Sequence, residues 1–262
     1  MKRLKFLGVL ILLLQSVISG GQNLNHAEVK FFSIDALGNI YIVEKNNQLA
    51  KFDPAGNQLF SFTNSASQSL TNLDCSNPLQ TLLFFRDLGK IQFLDKNLAE
   101  MASPLELLNL SFSDVSAVCS SYNSGLWLYE SSEKQLIRLN SSLEITNKSI
   151  RLDQIIQSGF EIHKMVEYSD KLLVMDSLHG IFIFDIYGVY KKPVFLGKVS
   201  DFQLVGDNIF YTASSEIIKT NFSMTQEVVF FKSSNPIRSF YISSNKVWIL
   251  NQNQELIKFM LP

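Results

Sequence analysis

The sequence predicts an all-β fold, a six-bladed β-propeller of four-stranded antiparallel blades, on three observations. A short strand pattern, usually followed by Asp or Asn, occurs six times, starting at Leu49, Ile91, Leu136, Ile181, Ile217 and Leu256. The steps between these starts are 42, 45, 45, 36 and 39 residues. A period of about 40 residues built from short strands is typical of one propeller blade per repeat. Hydrophobic residues make up 46% of the chain and charged residues 18%, which is enough apolar material for a sizeable core.

The first repeat shows the plan of a blade most clearly. Strands are predicted over residues 29–35, 40–44, 48–52 and 58–62, and turn residues separate them. The turn that begins at Asp53 contains Pro54, which presets φ, and Gly56, which accepts a left-handed backbone. Four antiparallel strands joined in sequence by such turns form one meander, which is a propeller blade.

The other repeats follow the same plan. Their second strands are apolar on successive residues, as expected for strands buried on both faces, at 81–85, 126–129, 172–175, 209–212 and 247–250. An Asp or Asn that can bond to the backbone two residues on begins each turn between third and fourth strands, at Asp53, Asp95, Asn140, Asp185 and Asn221. Short helical turns are expected only between repeats, over residues 103–109 and 152–157.

The last repeat ends before its outer strand. Its third strand is predicted over residues 255–259, and the sequence ends soon after it. We expect residues 22–28 to supply the missing strand, because an N-terminal strand on the last blade closes the ring and covers an open sheet edge.

The first repeat resembles an NHL-type blade over Asp35-Ala36-Leu37-Gly38-Asn39-Ile40 and Lys51-Phe52-Asp53-Pro54-Ala55-Gly56, and similar blades occur in TolB-like six-bladed propellers. This resemblance implies a six-bladed ring and a binding role on one face. Some relatives of this kind are lyases or esterase-like metal enzymes, but their metal and catalytic residues have no match in this sequence.

The N-terminus has the composition of a secretory signal peptide over residues 1–19. A basic head of Lys2, Arg3 and Lys5 precedes an apolar run at 6–14, which is shorter than the ~20 residues that a membrane span needs. Cleavage before Gly20 leaves a single propeller domain over residues 20–262, without a membrane span, that we expect to be a periplasmic or secreted monomer. Losing three positive residues takes the net charge from −1 to −4, which argues against nucleic acid as a partner.

Two cysteines, Cys75 and Cys119, fall at matching positions of neighbouring repeats. An oxidising compartment permits a disulfide between them. The alternative is two buried thiols that act as small apolar residues, because facing sheets lie about 10 Å apart while a bridge needs Cα atoms within about 7 Å.

No catalytic residue, metal ligand or cofactor site is predicted. The three histidines, His26, His163 and His179, are far apart in the sequence, and no calcium loop, nucleophile elbow or phosphate loop is present. Polar residues do recur where second strands end and inner strands begin, so a mixed-charge binding site is predicted around one mouth of the central channel. Its candidates are Glu44, Arg86, Glu130, Asp176 and Arg238, near Lys30 and Lys164.

These observations favour a non-catalytic binding or scaffold propeller whose partner is a protein of a bacterial cell envelope. Two alternatives stay open, a propeller hydrolase or lyase and a glycan-binding module, and solvated strand ends without a partner would give the same charge pattern.

Overall fold

In the described part of the chain, 24 strands form six four-stranded antiparallel sheets, arranged as the six blades of a β-propeller. The computed structural model describes residues 19–23, 28–63, 69–156, 159–195, 197–223, 226–243 and 245–261. The predicted fold class is therefore confirmed. The signal peptide predicted over residues 1–19 lies, except for Ser19, outside the described residues, and so does His26.

Each blade runs from an inner strand to an outer strand in chain order. Blade 1 contains β2 (Val29–Ile34), β3 (Ile40–Glu44), β4 (Gln48–Phe52) and β5 (Gln58–Thr63). Blade 2 contains β6 (Asn72–Asn77), β7 (Gln80–Phe85), β8 (Lys90–Asp95) and β9 (Leu105–Glu106). Blade 3 contains β10 (Val115–Ser121), β11 (Gly125–Glu130), β12 (Gln135–Leu139) and β13 (Ile145–Lys148).

The second half of the ring repeats this order. Blade 4 contains β14 (Ile162–Tyr168), β15 (Lys171–Asp176), β16 (Gly180–Asp185) and β17 (Tyr190–Phe195). Blade 5 contains β18 (Phe202–Val205), β19 (Asn208–Ala213), β20 (Glu216–Asn221) and β21 (Val228–Lys232). Blade 6 contains β22 (Ile237–Ser243), β23 (Lys246–Asn251) and β24 (Leu256–Met260), with β1 (Ser19–Asn23) as its outer strand.

Three short 3-10 helices interrupt the described strands, at Arg86–Leu88, Leu107–Leu110 and Leu152–Gln154. The last two lie in the connections where helical turns were predicted. The first was missed because it occupies the tight turn between β7 and β8, where Gly89 ends it with a left-handed backbone at φ 57°.

The turns between third and fourth strands confirm the sequence interpretation. Asp53 Oδ1 accepts hydrogen bonds from the backbone N–H of Ala55 at 2.9 Å and of Asn57 at 2.8 Å. The equivalent Asp95, Asn140 and Asp185 side chains accept the same two bonds, from the residues two and four positions on, in blades 2, 3 and 4. One polar side chain thus fixes each turn locally, which is why the sequence alone could place it.

Six hydrophobic clusters hold the blades together, one in each interface between neighbouring blades. The second strands contribute most, because both of their faces are covered; every residue of β11, for example, is buried. The sixth cluster joins Trp248 and Leu250 of blade 6 to Ile40 and Ile42 of blade 1, so the core continues around the closed ring.

An N-terminal strand closes the ring, as predicted, but it lies at Ser19–Asn23 rather than at residues 22–28. β1 pairs antiparallel with β24, with Gln22 opposite Lys258 and Asn23 opposite Ile257. Residues 24–27, which belong to the predicted segment, lie outside the described residues.

Polar side chains form hydrogen bonds with backbone groups of the inner strands, along the edges that face the central channel. Asp74 of β6 accepts a hydrogen bond from the backbone N–H of Ser120 in blade 3 at 2.8 Å. Gln203 of β18 bonds to both backbone groups of Ile242 in blade 6, at 2.9 and 2.6 Å. Because an inner strand has a free edge, these bonds between blades replace the ladder that a further strand would make.

Both cysteines are buried free thiols. Cys75 packs in the cluster between blades 1 and 2, where its Sγ donates to Ser33 Oγ at 3.1 Å, whereas Cys119 packs in the cluster between blades 3 and 4. The structure therefore holds two buried thiols rather than a disulfide, because the two side chains enter different interfaces.

Candidate binding site on the upper face

All five predicted binding residues belong to one end of the ring. We call this end, where inner strands begin and second strands end, the upper face, and the opposite end, which carries the turns between first and second strands, the lower face. Glu44, Glu130 and Asp176 are the last residues of second strands, and Arg86 directly follows one. Arg238 is the second residue of the inner strand β22.

Asp176 is a buried structural group. Its carboxylate is 1% exposed and accepts backbone N–H groups from Leu178 at 2.8 Å, from His179 at 2.6 Å and from Glu161 by a very short bond. His179 Nδ1 also lies 2.7 Å from Oδ1. Burial alone would raise the pKa of Asp176, but the hydrogen bonds from these donors outweigh it and leave the pKa below its usual value.

Glu130 is likewise 3% exposed, and its Oε1 accepts from the backbone N–H of Asp114 at 2.9 Å and from Ser132 Oγ at 2.8 Å. The predicted placement of Asp176 and Glu130 at the channel mouth is corrected by this burial. Both carboxylates turn inward because they cap the backbone of the adjoining connections, so neither can touch a partner that docks from solvent.

Arg86 is exposed and forms an ion pair with Glu161, with 2.7 Å between Nη1 and Oε1. The two side chains are 38% and 51% exposed. The hydrogen bond from Arg86 holds the pKa of Glu161 below its usual value. Arg86 follows the second strand of blade 2 and Glu161 precedes the inner strand of blade 4, so the pair connects two blades that blade 3 separates.

A cleft of about 560 Å³ opens beside this ion pair, and we call it the upper groove. It is lined by Arg86, Tyr129, Ser131, Lys134, Asp153, Gly159, Phe160 and Glu161. The rings of Tyr129 and Phe160 meet at a centroid distance of 6.3 Å and a tilt of 52°. The groove therefore combines an aromatic pair with charged groups of both signs.

The charges of the upper groove are paired with one another. Asp153 Oδ2 lies 3.1 Å from Lys134 Nζ and 2.7 Å from Arg151 Nη2. The hydrogen bond from Arg151, with that from Lys134, holds the pKa of Asp153 well below its usual range. These ion pairs are exposed and worth little to stability, but they fix the positions of donors and acceptors on the rim.

Glu44 and Arg238 lie in other blades and do not line the upper groove. Glu44 accepts one weak bond from Asn46 Nδ2 at 3.4 Å, and Arg238 makes no ion pair with any described residue. Lys30 links blades instead, since its Nζ donates to Ser69 Oγ and to the carbonyl of Leu70, both at 2.7 Å. The structure thus brings together Arg86 with groups of the 149–161 connection rather than the five predicted residues with each other.

Sequence reasoning missed the residues that complete the groove, Lys134, Asp153, Phe160 and Glu161. They lie in a tight turn and in a connection outside the repeated pattern, so no equivalent position in another blade marks them. Among the described residues, no group of three His, Cys, Asp or Glu side chains could hold a metal ion. In the same part of the chain, no helix has the length and apolar character to cross a membrane.

Comparison with known proteins identifies the fold. No family model matches the sequence, and no curated protein matches it either. The chain is similar in structure to virginiamycin B lyase from Staphylococcus aureus, with a TM-score of 0.62, 12% identity, and coverage of 93% of this chain and 99% of the other.

Two further solved structures are similar in the same way. BamB from Moraxella catarrhalis has a TM-score of 0.50 and 10% identity, over 88% of this chain and 71% of the other. BBS1N, solved in complex with ARL6DN, has a TM-score of 0.58 and 11% identity, over 89% of this chain and 78% of the other. At these identities the similarity concerns the propeller fold, which agrees with the resemblance to NHL-type and TolB-like propellers.

Proposed function

We propose that this chain is a non-catalytic binding propeller that acts outside the cytoplasm, and that its partner is a protein of a bacterial cell envelope. The observation that carries the proposal is the upper groove, where the partly buried Phe160, which packs on the buried Tyr129, lies beside the exposed Arg86–Glu161 ion pair. Binding sites between proteins are centred on aromatic and Arg side chains with a polar rim, and the groove has this composition.

Exposed aliphatic residues also lie in the connections on the upper face. Leu108, in the connection between blades 2 and 3, is 71% exposed, and Ile150, in the connection between blades 3 and 4, is 52% exposed. Together with the groove they offer a partner apolar contact flanked by fixed charges. Arg86 can contribute most, because an Arg at the centre of an interface combines apolar contact with several hydrogen bonds.

The extracytoplasmic location rests on the leader-like composition of residues 1–19 and on the acidic net charge that remains without it. The protein partner rests on the groove, and the propeller BBS1N gives a fold-level analogy because it was solved in complex with ARL6DN. The similarity to virginiamycin B lyase keeps the enzyme alternative as an outcome of the test.

The test compares single charge reversals at opposite faces of blade 2. Immobilised protein is incubated with solubilised envelope from the native cells, and captured proteins are quantified by mass spectrometry. Arg86→Glu should reduce capture of the partner about tenfold or more, because a like charge then faces the partner's acceptor. Lys96→Glu makes the same charge change in a lower-face turn and should leave capture unchanged.

A charge swap separates recognition from structure. Arg86→Glu with Glu161→Arg restores an ion pair of opposite polarity, so the fold is retained while capture should remain weak. The groove is not the binding site if the charge swap restores capture of the partner. The same conclusion follows if Arg86→Glu captures as much partner as the wild type. Activity of the purified protein that chelation abolishes would favour the enzyme alternative.

A further inference from the structure

The lower face carries a second cleft, of about 570 Å³, that the proposed function does not use. It lies where the turns between first and second strands of blades 2, 3 and 4 meet, and we call it the lower cleft. Serine and amide side chains dominate its lining, with Tyr122 and Phe93 as the aromatic members.

Tyr122 forms a rigid platform at the lower cleft. Tyr122 is 41% exposed, and the guanidinium carbon of Arg138 lies 3.8 Å from its ring centroid. Arg138 is 5% exposed and is itself fixed, because it donates to Ser121 Oγ at 2.9 Å, to Thr146 Oγ1 at 3.2 Å and to the carbonyl of Tyr122 at 3.1 Å. One ring face is thus covered by a buried cation, and the rest of the ring borders the cleft.

The backbone of the turn is held equally firmly. Glu167 of blade 4 accepts the N–H of Tyr122 at 2.8 Å, Ser121 Oγ at 2.5 Å and the indole N–H of Trp127 at 2.7 Å. Gly125 closes the turn, and a Cβ at this position would lie 2.6 Å from the carbonyl oxygen of Leu139. Such a preorganised site loses little conformational entropy when a ligand binds.

The polar groups around the platform are available to a ligand. Five polar side chains that line the cleft have no hydrogen-bond partner within the described part of the chain. They are the hydroxyls of Ser76, Ser124, Ser141 and Ser169 and the amide of Gln80. Hydroxyls and amides both donate and accept hydrogen bonds, so they complement a ligand that is itself rich in hydroxyl groups.

The charges near the cleft restrict the ligand class. No Lys or Arg is among the described lining residues, and the one carboxylate, Glu167, already accepts three hydrogen bonds. An anionic ligand would find one negative charge and no accessible cation, because the nearby Arg138 is buried and bonded to protein groups. An apolar ligand would leave the serines without partners. A neutral, hydroxyl-rich ligand with an apolar face satisfies both conditions.

We propose that the lower cleft binds a neutral saccharide, with one sugar ring stacked on Tyr122. The C–H groups of a pyranose face are weakly positive and pack on the negative face of an aromatic ring, which the buried guanidinium holds in place from the other side. The serine hydroxyls and Gln80 then bond to the sugar hydroxyls. This site is separate from the upper groove, so either proposal can fail without the other.

The test uses the intact protein and three neutral probes, maltotriose, cellotriose and triacetylchitotriose, with trigalacturonate as an acidic control. Saturation-transfer NMR detects binding, and tryptophan fluorescence supplies a second signal because Trp127 is bonded to Glu167 at the cleft. We expect saturable binding of at least one neutral probe with a Kd of about millimolar or tighter, and weaker binding of trigalacturonate.

Three variants and one control, Tyr187→Ala, locate the site. Tyr122→Ala should weaken binding about tenfold or more, whereas Tyr122→Phe keeps the ring and should stay within about twofold of the wild type. Gln80→Leu removes polar contacts without touching the platform and should also weaken binding. Tyr187→Ala, at a 60% exposed tyrosine of the same face that does not line the cleft, should bind as the wild type does.

Failure of all neutral probes to bind the wild type would overturn the proposal. The proposal would also be overturned if both Tyr122→Ala and Gln80→Leu bound the sugar as tightly as the wild type, since the sugar would then occupy another site. Tighter binding of trigalacturonate than of the neutral probes would overturn it too. If the melting temperature of Tyr122→Ala is well below that of the wild type, binding by Gln80→Leu alone decides whether the sugar occupies the lower cleft.

Discussion

Replacing Asp176 by Ala should strongly destabilise the ring, although the residue lies at the end of one strand. The change removes the acceptor of three backbone N–H groups, which belong to Glu161, Leu178 and His179. A buried group left without a partner costs about 1–3 kcal/mol, and some of these donors will recover water. We therefore expect a loss of about 3–5 kcal/mol in the free energy of unfolding. At about 2–4 °C per kcal/mol, the melting temperature should fall by roughly 6–20 °C.

Thermal unfolding followed by circular dichroism measures this loss, and Asp170→Ala is the matched control. Asp170 lies in the same blade, immediately before β15, which Asp176 ends, but its side chain is 71% exposed. The control should melt with the wild type. Asp176→Asn keeps an acceptor without the charge and should fall between the two. A melting temperature of Asp176→Ala within a degree or so of the control would refute the capping role.

The pH dependence of the free energy of unfolding offers a second, independent test of this prediction. The native pKa of Asp176 lies below its usual value, so the carboxylate stabilises the fold above the unfolded pKa of about 3.9. This contribution is lost as the pH falls through the lowered native pKa. The stability difference between wild type and Asp176→Asn should therefore be constant near neutral pH and shrink below about pH 4. A difference that grows on acidification would contradict this assignment.

Three further predictions concern the ring and its N-terminus. A protein beginning at residue 24 should melt several degrees, roughly 5 °C, below one beginning at residue 19, because it lacks the strand that pairs with β24; equal melting would refute closure by β1. Burial raises the pKa of Cys75 to about 12 and that of Cys119 well above its usual value, so neither thiol should react with a disulfide reagent until the protein unfolds; rapid reaction of the native protein would contradict their burial. Mass spectrometry of the exported protein should find an N-terminus between Gly20 and Gln22, whereas an intact Met1 in a membrane fraction would disprove the leader.

The fold could be predicted from the sequence because its signals are local. The Asp53 turn bonds to residues two and four positions on, and the strands of each hairpin are neighbours in the chain. The predicted strands of blade 1 agree with the observed ones to within a residue. The closing strand lies a few residues before the predicted segment, because its pairing with β24 joins opposite ends of the chain and leaves no local signal.

The candidate site could be predicted only in part because its contacts are not local. Asp176, Glu130 and Arg86 have equivalent positions at strand ends, and the sequence does not distinguish a carboxylate that turns inward from one that faces solvent. The distinction depends on the connection before blade 4, which brings the N–H of Glu161 to Asp176 and its carboxylate to Arg86. A partner that lies 75 positions along the chain leaves no periodic signal.

The irregular repeat lengths are the sequence signal that locates the upper groove. The two longest steps, of 45 residues each, run from Ile91 to Ile181, while the next two are 36 and 39 residues. In the second of these steps, part of the additional length enters the connection between blades 3 and 4 on the upper face. Residues 149–161 join blades 3 and 4, against residues 196–201 and 233–236 for the next two junctions. Loops on a rigid scaffold carry function at low cost to the core, so the longest junction of a propeller marks the place to look for a binding site, and here it supplies Asp153, Phe160 and Glu161.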